Sequence, residues 1–137
     1  MKLRLIAITA ILMQCSAYAE HHEADEPAIA GMVFSETFDL AGEVDLYVER
    51  YKSCGDTVNP KHYHPMGTLV YVLDGKAVSD ASGEWQEYGA DSYWFEPSEW
   101  VHGGADNSGP SLGDEQCRET LVIRAARKGE AATVFVE

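Results

Sequence analysis

At 137 residues, 45% hydrophobic and 24% charged, the chain is long enough for one compact domain and short for two. Its 23 acidic residues outnumber 10 basic ones, giving a formal net charge of −13, a field that disfavours nucleic acid and anionic membrane surfaces. The same field works against steering of anionic substrates, unless a bound cation reverses its sign locally.

In chain order, Lys2 and Arg4 precede an apolar run over residues 5–13, too short to span a bilayer. Ala17-Tyr18-Ala19 supplies the small residues of a cleavage site, so residues 1–19 read as a signal peptide. Export to the periplasm or the medium follows, with no membrane insertion after cleavage. Cys15 opens an alternative, a lipoprotein cut before that cysteine, although Gln14 is bulky where such sites take a small residue. Residues 20–31 form an acidic leader without periodicity. Residues 32–137 form the folded domain. Cys54 and Cys117 remain after cleavage, and an exported location permits a disulfide.

From Val33 onward the chain reads as short strands between turn signals. Residues 43–49 alternate polar and apolar, the pattern of a half-buried strand. A strand is predicted over 62–73, ending in a hairpin at Asp74-Gly75, with residues 76–79 returning. Ser82-Gly83 turns again into 84–88. Tyr93-Trp94-Phe95 leads to Pro97, a Gly/Ser/Pro/Asp-rich loop spans 103–115, and strands follow at 118–125 and 133–136. Many short strands and no helical period predict an all-β sandwich or barrel.

Three histidines carry the chemistry. His62 and His64, one residue apart in K-H-Y-H-P-M-G, share one face of an extended strand because side chains alternate. His102, in P-S-E-W-V-H-G-G, could complete a cluster around one ion from a later strand. Imidazole suits zinc, copper, iron and nickel, so the ligand type does not choose among them.

At these residues the chain resembles the cupin superfamily of small jelly-roll barrels. His62-Tyr63-His64-Pro65-Met66-Gly67-Thr68 through Asp74-Gly75 matches its first motif; Gly89, Asp91, Pro97, His102 and Asn107 match its second. The resemblance implies a single-domain, cupin-type double-stranded β-helix binding one divalent transition metal (Fe, Zn, Mn, Ni or Cu) through His62, His64 and His102. It also implies a small-molecule substrate or ligand and a homodimer packed through its sheets.

Two positions depart from the family pattern. Thr68 stands where the first motif usually carries a glutamate ligand, and Glu99 where the second usually has glycine. Either the site is a three-histidine one, similar to quercetin dioxygenase-like or cysteine dioxygenase-like members, or another residue supplies an oxygen. Glu99 is the first candidate for that role, with Glu96 and Tyr71 behind it; Glu99 and Tyr71 are also the candidate acid/base residues. In a jelly roll the strand before the first motif pairs with the strand after the second, so Cys54 and Cys117 are expected to form a disulfide. Arg124, alternating with apolar neighbours, would neutralise a buried carboxylate or clamp a substrate anion. The reaction this implies is dioxygenation, isomerisation or lyase chemistry on an oxygen- or sulfur-rich molecule; the alternative is a binding or sensing module without turnover.

Overall fold

The computed structural model describes residues 29–137; the expected signal peptide, Cys15 and all but residues 29–31 of the leader lie outside the described residues. Eight strands follow: β1 (Met32–Leu40), β2 (Val44–Cys54), β3 (His62–Tyr63), β4 (Thr68–Ser79), β5 (Gln86–Gly89), β6 (Tyr93–Glu96), β7 (Cys117–Arg127) and β8 (Val134–Phe135). The main sheet runs β1-β2-β7-β4-β5, with β6 pairing β4, and a second, two-stranded sheet joins β3 to β8. All named pairings are antiparallel. This is the expected all-β, single-domain jelly roll.

The expected pairing between the strand before the first motif and the strand after the second is β2 on β7, in unbroken register from Val44↔Arg127 to Cys54↔Cys117. That register sets the two cysteines opposite each other, and they are disulfide-bonded across a sequence separation of 63. Closing such a loop stabilises by about 4 kcal/mol on the chain-entropy model.

Two expectations are corrected. Asp74-Gly75 is not a hairpin. β4 runs through it to Ser79, and the register against β7 shifts between Val72 and Asp74. Gly75 adopts φ 74° and lies so close to the Cys117 carbonyl that a Cβ would collide with it. It therefore serves as a bulge, re-aiming the strand without reversing it. The first half of β4 lies between β6 and β7, and its second half leaves them to pair with β5. The reversal comes later, where the Gly83 amide donates to the Asp80 carbonyl at 2.8 Å. At the other end, Pro65-Met66-Gly67 separates β3 from β4, so the strand predicted over 62–73 is two.

The alternation of residues 43–49 does mark a strand, but its apolar parity faces outward. Val44, Leu46 and Val48 are only half-buried, whereas Glu49 and Tyr51 are 4% and 7% exposed. Across the sheet the inward set is Glu49, Tyr51, Thr120, Arg124, Thr68, Val70, Val72 and Glu96. The outward set is Phe34, Phe38, Leu46, Val48, Leu121, Ile123, Leu69, Tyr71 and Phe95, as the registers require. The barrel interior is thus unusually polar for a core.

That interior is held by a buried ion pair. The Arg124 guanidinium donates to Glu49 and to the Thr133 hydroxyl, and the Tyr51 hydroxyl donates to the same Glu49 oxygen at 2.6 Å. Burial and the Glu49 carboxylate push the Tyr51 phenol well above its ordinary range, so it stays a donor. Arg124 therefore does neutralise a buried carboxylate. Removing one member of such a pair strands the other charge in low dielectric, while removing both together does not. Glu49→Leu should accordingly destabilise by about 3–5 kcal/mol in urea unfolding, and Glu49→Leu/Arg124→Met should recover most of that loss. Equal instability of the single and double variants would contradict this account of the interior.

Candidate metal centre

His62 lies on β3, and its main chain pairs with that of His102: the His62 amide donates to the His102 carbonyl at 2.9 Å, and the His102 amide returns the bond at 2.8 Å. This bridge, together with the β4–β6 ladder, brings the two motifs together. His64 follows two residues after His62, on the same face by strand alternation. The three rings have centroid separations of 4.2, 5.1 and 5.3 Å, and one nitrogen from each lies within 4.8 Å of the others.

Each ring is oriented through its Nδ1. His62 Nδ1 is 2.7 Å from the Pro60 carbonyl oxygen, His64 Nδ1 2.9 Å from that of Ala132, and His102 Nδ1 3.0 Å from that of Trp100. A carbonyl can only accept, so each Nδ1 carries the hydrogen and each Nε2 keeps its lone pair free. This is the tautomer a metal-binding histidine requires, with the backbone as the outer partner. Burial, opposed by the Pro60 hydrogen bond, pushes His62 down to about 4, so that ring is neutral at physiological pH. Trp100 stacks on His102 with centroids 4.5 Å apart and planes at 10°, which fixes the third ring from its face.

One carboxylate reaches the cluster, and it is Glu96. Its Oε2 stands 3.3 Å from His64 Nε2 and 3.6 Å from His102 Nε2, while its Oε1 accepts the Trp94 indole N–H at 3.0 Å. Burial alone would raise its pKa, but its contacts with His64, His102 and the Trp94 N–H together hold it below the ordinary carboxylate value. Imidazole nitrogens and a carboxylate oxygen are donor types that a divalent transition metal takes, so the residues fit the ion that the resemblance implies.

The other two oxygen candidates point elsewhere. Glu99 sits at φ 62°, the left-handed position where glycine is usual, in a turn closed by the Trp100 amide on the Pro97 carbonyl. It approaches the site only through its amide, which donates to the His64 carbonyl at 2.8 Å; its side chain is exposed. Tyr71 lies on the outward parity of β4, and its hydroxyl donates to Asp91 at 3.0 Å. Neither reaches the histidines, so the acid/base roles expected of them have no geometric support. Thr68 does face the interior and is fully buried, with its hydroxyl unpartnered.

The cluster lies on a cavity of about 400 Å3 whose walls include Trp85, Trp94, Trp100, Tyr51 and Arg124. Part of its rim is the predicted 103–115 loop, which contains a 3-10 turn at Ala105–Asn107. Asp56 holds this loop, accepting from the Ser111 hydroxyl at 2.5 Å and the Leu112 amide at 3.2 Å. Gly109 packs so tightly on the Trp85 ring that a Cβ would collide with it.

Comparison with known proteins agrees with this architecture. Residues 54–112 match the family model of the cupin domain. No curated protein sequence matches the chain. Among solved structures, the polyketide cyclase RemF from Streptomyces resistomycificus is similar at 21% identity and TM-score 0.51, over 82% of this chain and 78% of that one. A putative mannose-6-phosphate isomerase from Ralstonia eutropha matches at 18% identity and TM-score 0.49, over 74% and 91% of the two chains. The lyase DddQ from Ruegeria pomeroyi matches at 19% and 0.47, over 69% of this chain and 44% of its own. At 21% identity the likeness to RemF concerns the fold alone. The chain is a single-domain protein of the cupin fold, with the cupin-domain match running from Cys54 to Leu112.

Proposed function

We propose that this protein is an exported metal-dependent enzyme that acts on a small oxygen- or sulfur-rich molecule in the barrel cavity. The observation that carries the reading is the convergence of one nitrogen from each of three imidazoles at the wall of a cavity large enough for a small ligand. A divalent ion bound there would supply Lewis acidity and a template for an anionic oxygen or sulfur. The chain's own residues supply the rest. The three tryptophans wall the ligand from water, and the interior ion pair of Arg124 and Glu49 gives the cavity fixed polarity. Dioxygenase, isomerase and lyase chemistry all remain compatible with this arrangement, since one fold hosts many reactions.

One observation favours the second reading, a binding or sensing module. Both buried carboxylates near the cavity are already engaged, Glu49 by Arg124 and Tyr51, and Glu96 by Trp94 and the histidines. Among the described residues no uncommitted buried carboxylate is left to act as general base. Elemental analysis and oxygen uptake separate the readings. The native protein should carry about one equivalent of a transition metal, lost in His102→Ala. Turnover of a thiol, diketone or flavonol by the loaded protein, with or without oxygen uptake, supports the enzyme; metal without turnover supports the binding module. A native protein free of transition metal would refute the metal-dependent enzyme and leave only a module that binds a small ligand.

Support for export comes from the Cys54–Cys117 disulfide, a bond that persists in oxidising compartments. N-terminal sequencing of the protein from its native host should begin at Glu20; retention of Met1 in a cytoplasmic fraction would contradict it.

The homodimer is supported by the outward sheet face. Phe34, Phe38, Leu40 and Phe95 on this face are each 44–56% exposed, a contiguous apolar surface of the kind that marks an interaction site. Its charges are few and balanced: Glu36, Arg127 and, at one end, Lys52, Asp74 and Arg50 ion-paired with Glu119. On a chain of net charge −13, this near-neutral face is where a second copy can approach without repulsion. Light scattering should give twice the chain mass, and Phe38→Glu/Leu46→Glu should halve it. A wild-type monomer at micromolar concentration would sink the proposal.

A further inference from the structure

We propose that Glu96 is the fourth metal ligand, a carboxylate supplied from β6 in place of the one that Thr68 no longer offers from β4. The inference rests on reading the three histidines as metal ligands, and four observations carry it.

The first is register. Thr68 and Glu96 are directly opposite each other across the β4–β6 pair, and both side chains are buried on the inward face. Directly opposite residues have Cβ atoms about 5 Å apart, so a carboxylate on either strand can reach one point. The short threonine at position 68 leaves room for the longer side chain from across the ladder.

Distance is the second. Two donors that each bind one ion at about 2.1 Å stand about 3.0–3.4 Å from one another at octahedral or tetrahedral angles. Glu96 Oε2 lies 3.3 Å from His64 Nε2 and 3.6 Å from His102 Nε2, within a few tenths of an ångström of that spacing without any rearrangement of the chain.

Orientation is the third. The Trp94 indole N–H occupies Oε1 at 3.0 Å, which fixes the carboxylate and leaves Oε2 directed at the imidazoles. This is the same arrangement as in the histidines, where one atom is tied to the protein and the other is presented to the cluster.

Charge is the fourth. Glu96 is 7% exposed, and among the described residues it pairs with no lysine or arginine, only with His64 and His102. A buried carboxylate without a cation is costly. Arg124, the buried cation of the interior, is taken by Glu49. A divalent ion between the four groups supplies the missing counter-charge, and the carboxylate lowers the centre from +2 to +1. The substrate such a centre favours is a monoanion.

The test uses full-length protein stripped by chelator and titrated with Co(II), read by visible absorption and competition for affinity, with Cu(II) electron paramagnetic resonance as a second signature. Glu96→Gln keeps shape and the Trp94 hydrogen bond, so it should fold with unchanged circular dichroism. It is expected to weaken Co(II) binding by at least 100-fold and to change both spectra. Thr68→Glu/Glu96→Gln, which returns the carboxylate to β4, is expected to regain affinity to within about tenfold of wild type. Wild-type affinity and spectra in Glu96→Gln would overturn the assignment while leaving the three-histidine centre standing. Failure of the wild-type chain to take up metal would overturn both.

Discussion

The N–H of each clustered imidazole is given to a main-chain carbonyl, and the site depends on those three bonds. Pro60, Ala132 and Trp100 supply the acceptors, drawn from the residues just before β3, the segment before β8 and the turn before His102. Because a carbonyl cannot donate, the bonds choose the tautomer as well as the orientation. The same strands that close the barrel therefore decide which nitrogen faces inward. The paired amides and carbonyls of His62 and His102 lock the two sequence motifs at one height, and the stacked Trp100 leaves the third ring little freedom to turn.

Around that cluster the barrel reverses the ordinary distribution of polarity. The inward parity of the main sheet carries Glu49, Tyr51, Thr120, Arg124, Thr68 and Glu96, and among the described residues the buried apolar ones are few: Val70, Val72, Ala77, Ala126 and the ring of Tyr51. A polar interior on this scale relies on its members bonding one another. Arg124 bonds Glu49 through Nη2 and Thr133 through Nη1, and the Thr133 hydroxyl lies 3.3 Å from His64 Nδ1. The ion pair and the candidate metal centre thus share a wall.

Much of this was legible in the residues themselves. The H-x-H spacing placed His62 and His64 on one face, the motif resemblance supplied His102, and the β2–β7 pairing brought Cys54 to Cys117. What could not be read was direction. Alternation in residues 43–49 marks a strand but does not say which parity is buried, and here the polar parity is, because its partner Arg124 lies on a strand some 70 residues away. Asp74-Gly75 carries the signal of a hairpin, yet the approach of the Cys117 carbonyl makes it a bulge. The choice among Glu99, Glu96 and Tyr71 turned on the same kind of information. Glu99 is nearest to His102 in sequence, but a left-handed turn sends its side chain outward; Glu96, at the end of β6, is placed by a cross-strand register that no local pattern reveals.

The account stands on a single ion shared by residues from two distant motifs. Anomalous scattering from crystals of the metal-loaded protein, collected on both sides of the metal's absorption edge, tests it most directly. One peak about 2.1 Å from the Nε2 atoms of His62, His64 and His102 is the predicted result. A peak elsewhere, or a loaded crystal in which one of the three rings has turned its Nε2 away, would contradict it.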